Sequence, residues 1–80
     1  MTDRLGKYYK VLDESYCKGN LIIQVIRKEI VKYGNKECTV WYWKEMNDSK
    51  LDIGQNWFED TFNKRKAKEI SLEEVMAEII

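Results

Sequence analysis

Between Leu21 and Met46 the chain carries two arms of β-branched and aromatic residues separated by Gly34-Asn35, and no other stretch restricts the fold as strongly. Such residues favour a pleated, half-buried surface, and a Gly-Asn pair between two such arms reads as a two-residue hairpin turn. With that turn, Tyr33 faces Lys36 and a plain register follows. Lys32 faces Glu37, Ile30 faces Thr39, Lys28 faces Trp41 and Ile26 faces Trp43, on one side with Ile22. The other side takes Val31 opposite Cys38, Glu29 opposite Val40, Arg27 opposite Tyr42 and Val25 opposite Lys44, with Leu21 and Ile23 beyond. Side chains alternate strictly along a strand, so a slip of one residue exchanges the faces of one arm. Both faces of this register are rich in apolar groups, whereas an antiparallel sheet with one wet face shows a polar side.

Around the hairpin, Lys7 to Asp13 reads as a first strand, and Lys18-Gly19-Asn20 as the turn that joins it to the central arm. Asn47 to Lys50 reads as a loop and Leu51-Asp52-Ile53 as a short edge strand. From Gln55 onward Trp57, Phe58, Thr61 and Phe62 recur at helical spacing, which predicts a helix through Lys68; the same residues also suit a strand over Trp57 to Lys64. Ser71 with Glu74 three residues on forms a capping box, and Ile70 before it pairs with Val75 as a hydrophobic staple. Leu72, Val75, Met76, Ile79 and Ile80 then mark one face of a final helix. The expectation is a single α+β domain over residues 1–80. It has an antiparallel meander of three to four strands, with one or two C-terminal helices packed on one face of it.

The chemistry available is narrow. The chain has no histidine, so Cys–His and Ser–His–Asp machinery and histidine metal sites are excluded. Cys17 and Cys38 are too few for a disulfide framework or a zinc set. Glu59-Asp60 and Glu73-Glu74 are adjacent pairs, and neighbours on a helix do not face each other as an acid/base couple must. The glycines are scattered, so no phosphate-binding loop exists. The reading is a non-enzyme that uses no cofactor and no metal. Fourteen basic residues balance fourteen acidic ones, which argues against a nucleic-acid mimic and against general coating of DNA. A polar N-terminus and the lack of a long apolar run predict a cytoplasmic protein with reduced thiols and no membrane span.

Trp41-Tyr42-Trp43 is the most suggestive cluster. The smaller side chains Leu21, Ile23, Val25, Val31, Cys38 and Val40 are assigned to the core, which leaves Trp41 and Trp43 near the surface. There, Trp41 and Trp43 with Ile26, Lys28 and Ile30 form the expected partner-binding face, since Trp and Arg dominate interface hot spots. Lys28 is placed to lay its stem across Trp41. A sheet with two apolar faces and too little helix to cover both also predicts a homodimer. The abundance of Lys, Asn and Ile suits a bacterium or its phage. The short frame resembles in style the small phage accessory proteins that bind and block a host protein. The expected function is therefore a protein–protein interaction module, a phage-encoded inhibitor of a host or defence protein. The alternative is a small nucleic-acid-binding protein that stacks bases on the aromatic face and contacts phosphates through Lys64, Arg65, Lys66 and Lys68.

Overall fold

The computed structural model describes residues 3–15, 21–46 and 55–79. The expected turn at residues 18–20, Cys17, the loop at 47–50, the edge strand at 51–53 and Ile80 lie outside the described residues. Strand β1 (Tyr8–Val11) runs antiparallel to β2 (Leu21–Tyr33), and β2 turns through Gly34-Asn35 into β3 (Lys36–Glu45). Gly34 has φ 63°, and Asn35 is not among the positive-φ residues. This is the type II′ pattern, in which only the first central residue needs the left-handed region.

The remaining chain departs from the single expected helix. Asn56–Phe58 forms a short strand, β4, against β3, with Trp57 opposite Trp41. Glu59–Lys64 forms helix α1, and Ala67–Ile70 returns as strand β5 beside β1. The result is a five-stranded antiparallel sheet in the order β4-β3-β2-β1-β5, which replaces the expected meander of three to four strands. Propensity misled over 55–68 because Trp, Phe and Thr suit both periods, and the position of Trp57 in the sheet is decided by pairing with a distant strand. Between α1 and β5 the chain bends at Lys66, whose φ of 53° is the only left-handed non-glycine conformation among the described residues. The Lys66 carbonyl then accepts from the Leu12 N–H at 3.1 Å, so the bend begins the β1–β5 pairing.

The plain hairpin register holds from Tyr33↔Lys36 down to Arg27↔Tyr42 and then breaks. Ile26 is an extra residue, a β-bulge, so that Val25 and not Ile26 stands opposite Trp43, and Gln24 and not Val25 stands opposite Lys44. This corrects the face assignment. Leu21, Ile23 and Val25 join Trp41 and Trp43 on one face, where Tyr9, Val11, Trp57 and Phe62 complete the main core. Trp41 is 1% and Trp43 4% exposed, so neither lies near the surface as the sequence suggested. The opposite face carries a smaller cluster of Ile22, Ile70 and Val75, with Tyr8 and Met46 against it.

The two helices are therefore split between the faces and are not stacked on one of them. Helix α1 covers the tryptophan face through Phe62, and helix α2 (Leu72–Ile79) covers the other through Val75. The cap expected at Ser71 is present: Glu74 N–H donates to Ser71 Oγ at 3.2 Å, and Ile70 and Val75 share a cluster as a staple requires. No helix among the described residues is long and apolar enough to cross a membrane.

Candidate interaction surface

Beyond the bulge the hairpin leaves the body of the sheet. Strand β1 pairs with β2 only over Leu21–Gln24, and β4 pairs with β3 only over Val40–Tyr42. From Lys28 to Thr39 the ribbon therefore has no strand beside it among the described residues, and its two strands extend about 20 Å and about 13 Å at ordinary strand rise. The molecule is correspondingly elongated, 45 × 24 × 23 Å. A lone two-stranded ribbon is marginal in water. This one is held by contacts across it. The Arg27 guanidinium lies 4.1 Å from the Tyr42 ring centroid on one face, and Lys28 Nζ lies 5.5 Å from the Trp41 ring on the other. Arg27–Glu29 and Lys32–Glu37 ion pairs, at 3.5 and 3.9 Å, are exposed and add little.

The expected partner-binding residues are divided by this geometry. Trp41 and Trp43 are core. Lys28 does reach over Trp41 as expected, and Ile26 lies exposed at the bulge. Ile30 is 59% exposed on the arm, and Tyr33, which the sequence reading did not single out, is 61% exposed at its tip. Phe58, also exposed, packs edge-on against Tyr33 with ring centroids 6.1 Å apart. The basic residues do not form one helix face. Lys64 ends α1, Arg65 pairs with Asp13 at 3.3 Å, Lys66 makes the left-handed bend, and Lys68 lies on β5 opposite Lys10.

Trp41 is tied to the arm's base by a polar cluster. Its indole N–H donates to Glu59 Oε2 at 2.6 Å, and the Arg4 guanidinium donates to both Glu59 oxygens at 2.9 and 3.1 Å. Arg4 itself is stacked 4.2 Å from the Phe62 ring centroid. Partial burial pushes the Glu59 carboxyl up, but the bonds from Arg4 and Trp41 outweigh it and hold the group below its ordinary value. Partial burial likewise disfavours the Arg4 cation, and Glu59 and Tyr9 together more than offset it, so the Arg4 pKa is raised. These partners fix α1 against the sheet and are committed to one another. Among the described residues no group of three Cys, Asp or Glu side chains is placed to hold a metal ion.

Where β4 stops, a shallow groove of about 470 Å³ opens along β3, lined by Tyr33, Glu37, Cys38, Thr39, Phe58, Glu59 and Asp60. Trp43 N–H donates outward to the Gln55 carbonyl at 3.1 Å. In an antiparallel ladder every second residue points its backbone groups the same way, so Trp41, Thr39 and Glu37 also face outward. Trp41 meets Trp57 of β4. Past Phe58 the chain turns into α1, and among the described residues no strand pairs with the outward groups of Thr39 and Glu37. No protein-family model matches this chain, and neither a curated protein nor a solved structure shows detectable similarity to it.

Proposed function

We propose that the protein is a non-catalytic protein-interaction module whose contact element is the projecting arm, residues 28–39. The observation that carries this reading is the projection of the arm: it runs past the ends of both neighbouring strands, with Ile30 and Tyr33 on it more than half exposed. Large apolar side chains on an otherwise marginal ribbon gain stability when a partner covers them. Tyr and Arg, the residue types enriched at hot spots, stand along the arm and at its base as Tyr33, Arg27 and Tyr42. An inhibitor that occupies the surface of a host or defence protein is one form of such a module. The ground for a homodimer differs from the one the sequence suggested, because each face of the body has its own helix, and the exposed apolar groups include Leu72 and Met76 on α2 as well as Ile30 and Tyr33 on the arm.

The test removes two rungs, Ile30–Thr39 and Val31–Cys38, together. This shortens the arm and keeps the alternation of every residue that remains. Affinity capture from bacterial lysate is compared between the wild-type chain and the shortened one, with circular dichroism confirming that both fold. Proteins retained by the wild type and lost by the shortened chain support the reading. Equal capture by a folded, shortened chain refutes it, and steep loss with added salt points to phosphate contact instead.

A further inference from the structure

Resting on the reading of the arm as the contact element, we propose that the open β3 edge takes an extended peptide as an added strand, with cationic and apolar residues alternating along it. The groove lies where β4 would continue had the chain not turned into α1 at Glu59. Its floor offers the outward N–H and C=O groups of Thr39 and Glu37, and an incoming strand pairs with such groups by main-chain hydrogen bonds whatever its sequence.

The walls set the sequence preference. By strand alternation Tyr33 and Cys38 share one face with Phe58, because Val31 opposes Cys38 and Val40 opposes Phe58. Tyr33 and Phe58 are in ring contact there, which gives that side an apolar wall. Glu37 and Thr39 point to the other face, the one on which Glu59 bonds Trp41. The seven lining residues carry three carboxylates and no cation: Glu59 is already engaged by Arg4 and Trp41, Glu37 stands 3.9 Å from Lys32 in an exposed pair, and Asp60 lies beside them. A strand lying in the groove therefore presents alternate side chains to an apolar wall and to an acidic one. Charge complementarity selects Lys or Arg for the second set.

The probe is an acetylated, amidated pentapeptide of alternating lysine and valine, compared with the same peptide carrying glutamate for lysine. Binding is followed by amide chemical shifts and amide hydrogen exchange. The lysine peptide is expected to slow exchange at Thr39 and Glu37 and to bind at least about tenfold more tightly than the glutamate peptide, the equivalent of one favourable charge contact. Thr39→Pro removes an outward N–H and leaves the β2–β3 ladder intact, and it should abolish binding. Glu37→Lys leaves the backbone unchanged and should reverse the peptide preference, so the proposal stays testable if the proline variant does not fold. Equal affinity for the two peptides, or protection at the β2 edge, overturns the proposal. Exchange at Thr39 that slows with protein concentration alone also overturns it, because the occupant is then a second copy. A lysate partner lost on shortening the arm but kept by Thr39→Pro leaves the arm reading standing and removes the groove. A partner kept by both variants removes both.

Discussion

Deleting Ile26 is the sharpest test of the bulge, because the two possible ladders predict opposite outcomes. In the bulged ladder Val25 already stands opposite Trp43, and Arg27 opposite Tyr42. Removing Ile26 joins those two rungs directly. Leu21, Ile23 and Val25 keep their places beside Trp41 and Trp43, and the ladder becomes regular. Ile26 is 38% exposed, so only part of one side-chain burial is lost, and stability should change by about 1–2 kcal/mol, a shift of roughly 4–16 °C in Tm for a domain of this size. In an unbroken ladder with Ile26 opposite Trp43, the same deletion turns the 21–25 segment over. Three core side chains then go to the other face, at about 1.5–3 kcal/mol each. That sum is comparable to the whole stability of an 80-residue domain, roughly 0.05–0.15 kcal/mol per residue. Urea unfolding followed by tryptophan fluorescence distinguishes the cases. A variant that is unfolded, or destabilised by more than about 4 kcal/mol, refutes the bulge and the core built on it.

Two further outcomes follow from the core. Trp41→Ala and Trp43→Ala should each cost about 3–5 kcal/mol, and Trp→Phe separates the two sites. Trp43 Nε1 is buried with no acceptor among the described residues, so Trp43→Phe removes an unsatisfied donor, whereas Trp41→Phe removes a 2.6 Å bond to a carboxylate; a larger thermal loss at Trp43 than at Trp41 would contradict the assignment. The Glu59 carboxyl is held below its ordinary value near 4.5 in the folded chain, so its stabilising effect is complete above that value and is lost as pH falls through the lower folded pKa. Urea midpoints should fall on acidification below about pH 4.5, and Glu59→Gln should flatten part of that slope; an unchanged slope removes the Arg4–Glu59–Trp41 cluster as its source.

The parts of the fold legible in the sequence are those fixed by local chemistry. The Gly34-Asn35 turn, the register of the rungs next to it, the Ser71 cap and the Ile70–Val75 staple each depend on residues a few positions apart. The bulge depends on which side of Trp43 is buried, and it has no glycine to mark it, since Ile26 is as strand-like as its neighbours. The one available sign was the surplus of apolar groups on both faces of the plain register. A one-residue shift resolves that surplus by uniting Leu21, Ile23 and Val25 with the tryptophans. Strand β5 was hidden for a different reason. Ala67-Lys68-Glu69-Ile70 is helix-permissive in isolation and becomes a strand because β1 offers it an edge. Of the surface, Ile30 and Lys28 were legible from the register alone. Tyr33 was placed there too but not recognised, because its prominence comes from where the neighbouring strands end.

The two free edges of the arm differ in what they admit. On the β2 edge the alternation turns the backbone groups of Lys28, Ile30 and Lys32 outward, opposite in sense to the rungs at Arg27, Glu29 and Val31 that bond β3. Directly opposed residues in an antiparallel pair share a face, so a two-fold axis relating two copies must pass through a residue that pairs with itself. In the register centred on Ile30, where the outward residues pair with one another, Lys28 is set against Lys32 of the second copy, and this happens twice. Like charges directly opposed destabilise a strand pair, and lysines on an edge are a common guard against such pairing. Lys28→Glu converts both clashes into opposite-charge pairs. At about 0.2–1 kcal/mol per pair, with repulsion removed as well as attraction gained, association should strengthen by roughly tenfold. Sedimentation of the two chains over the same concentrations checks this. A Lys28→Glu chain that associates no more than the wild type shows that the β2 edge is not held apart by its lysines, and the contrast drawn here between a guarded β2 edge and an open β3 edge then fails.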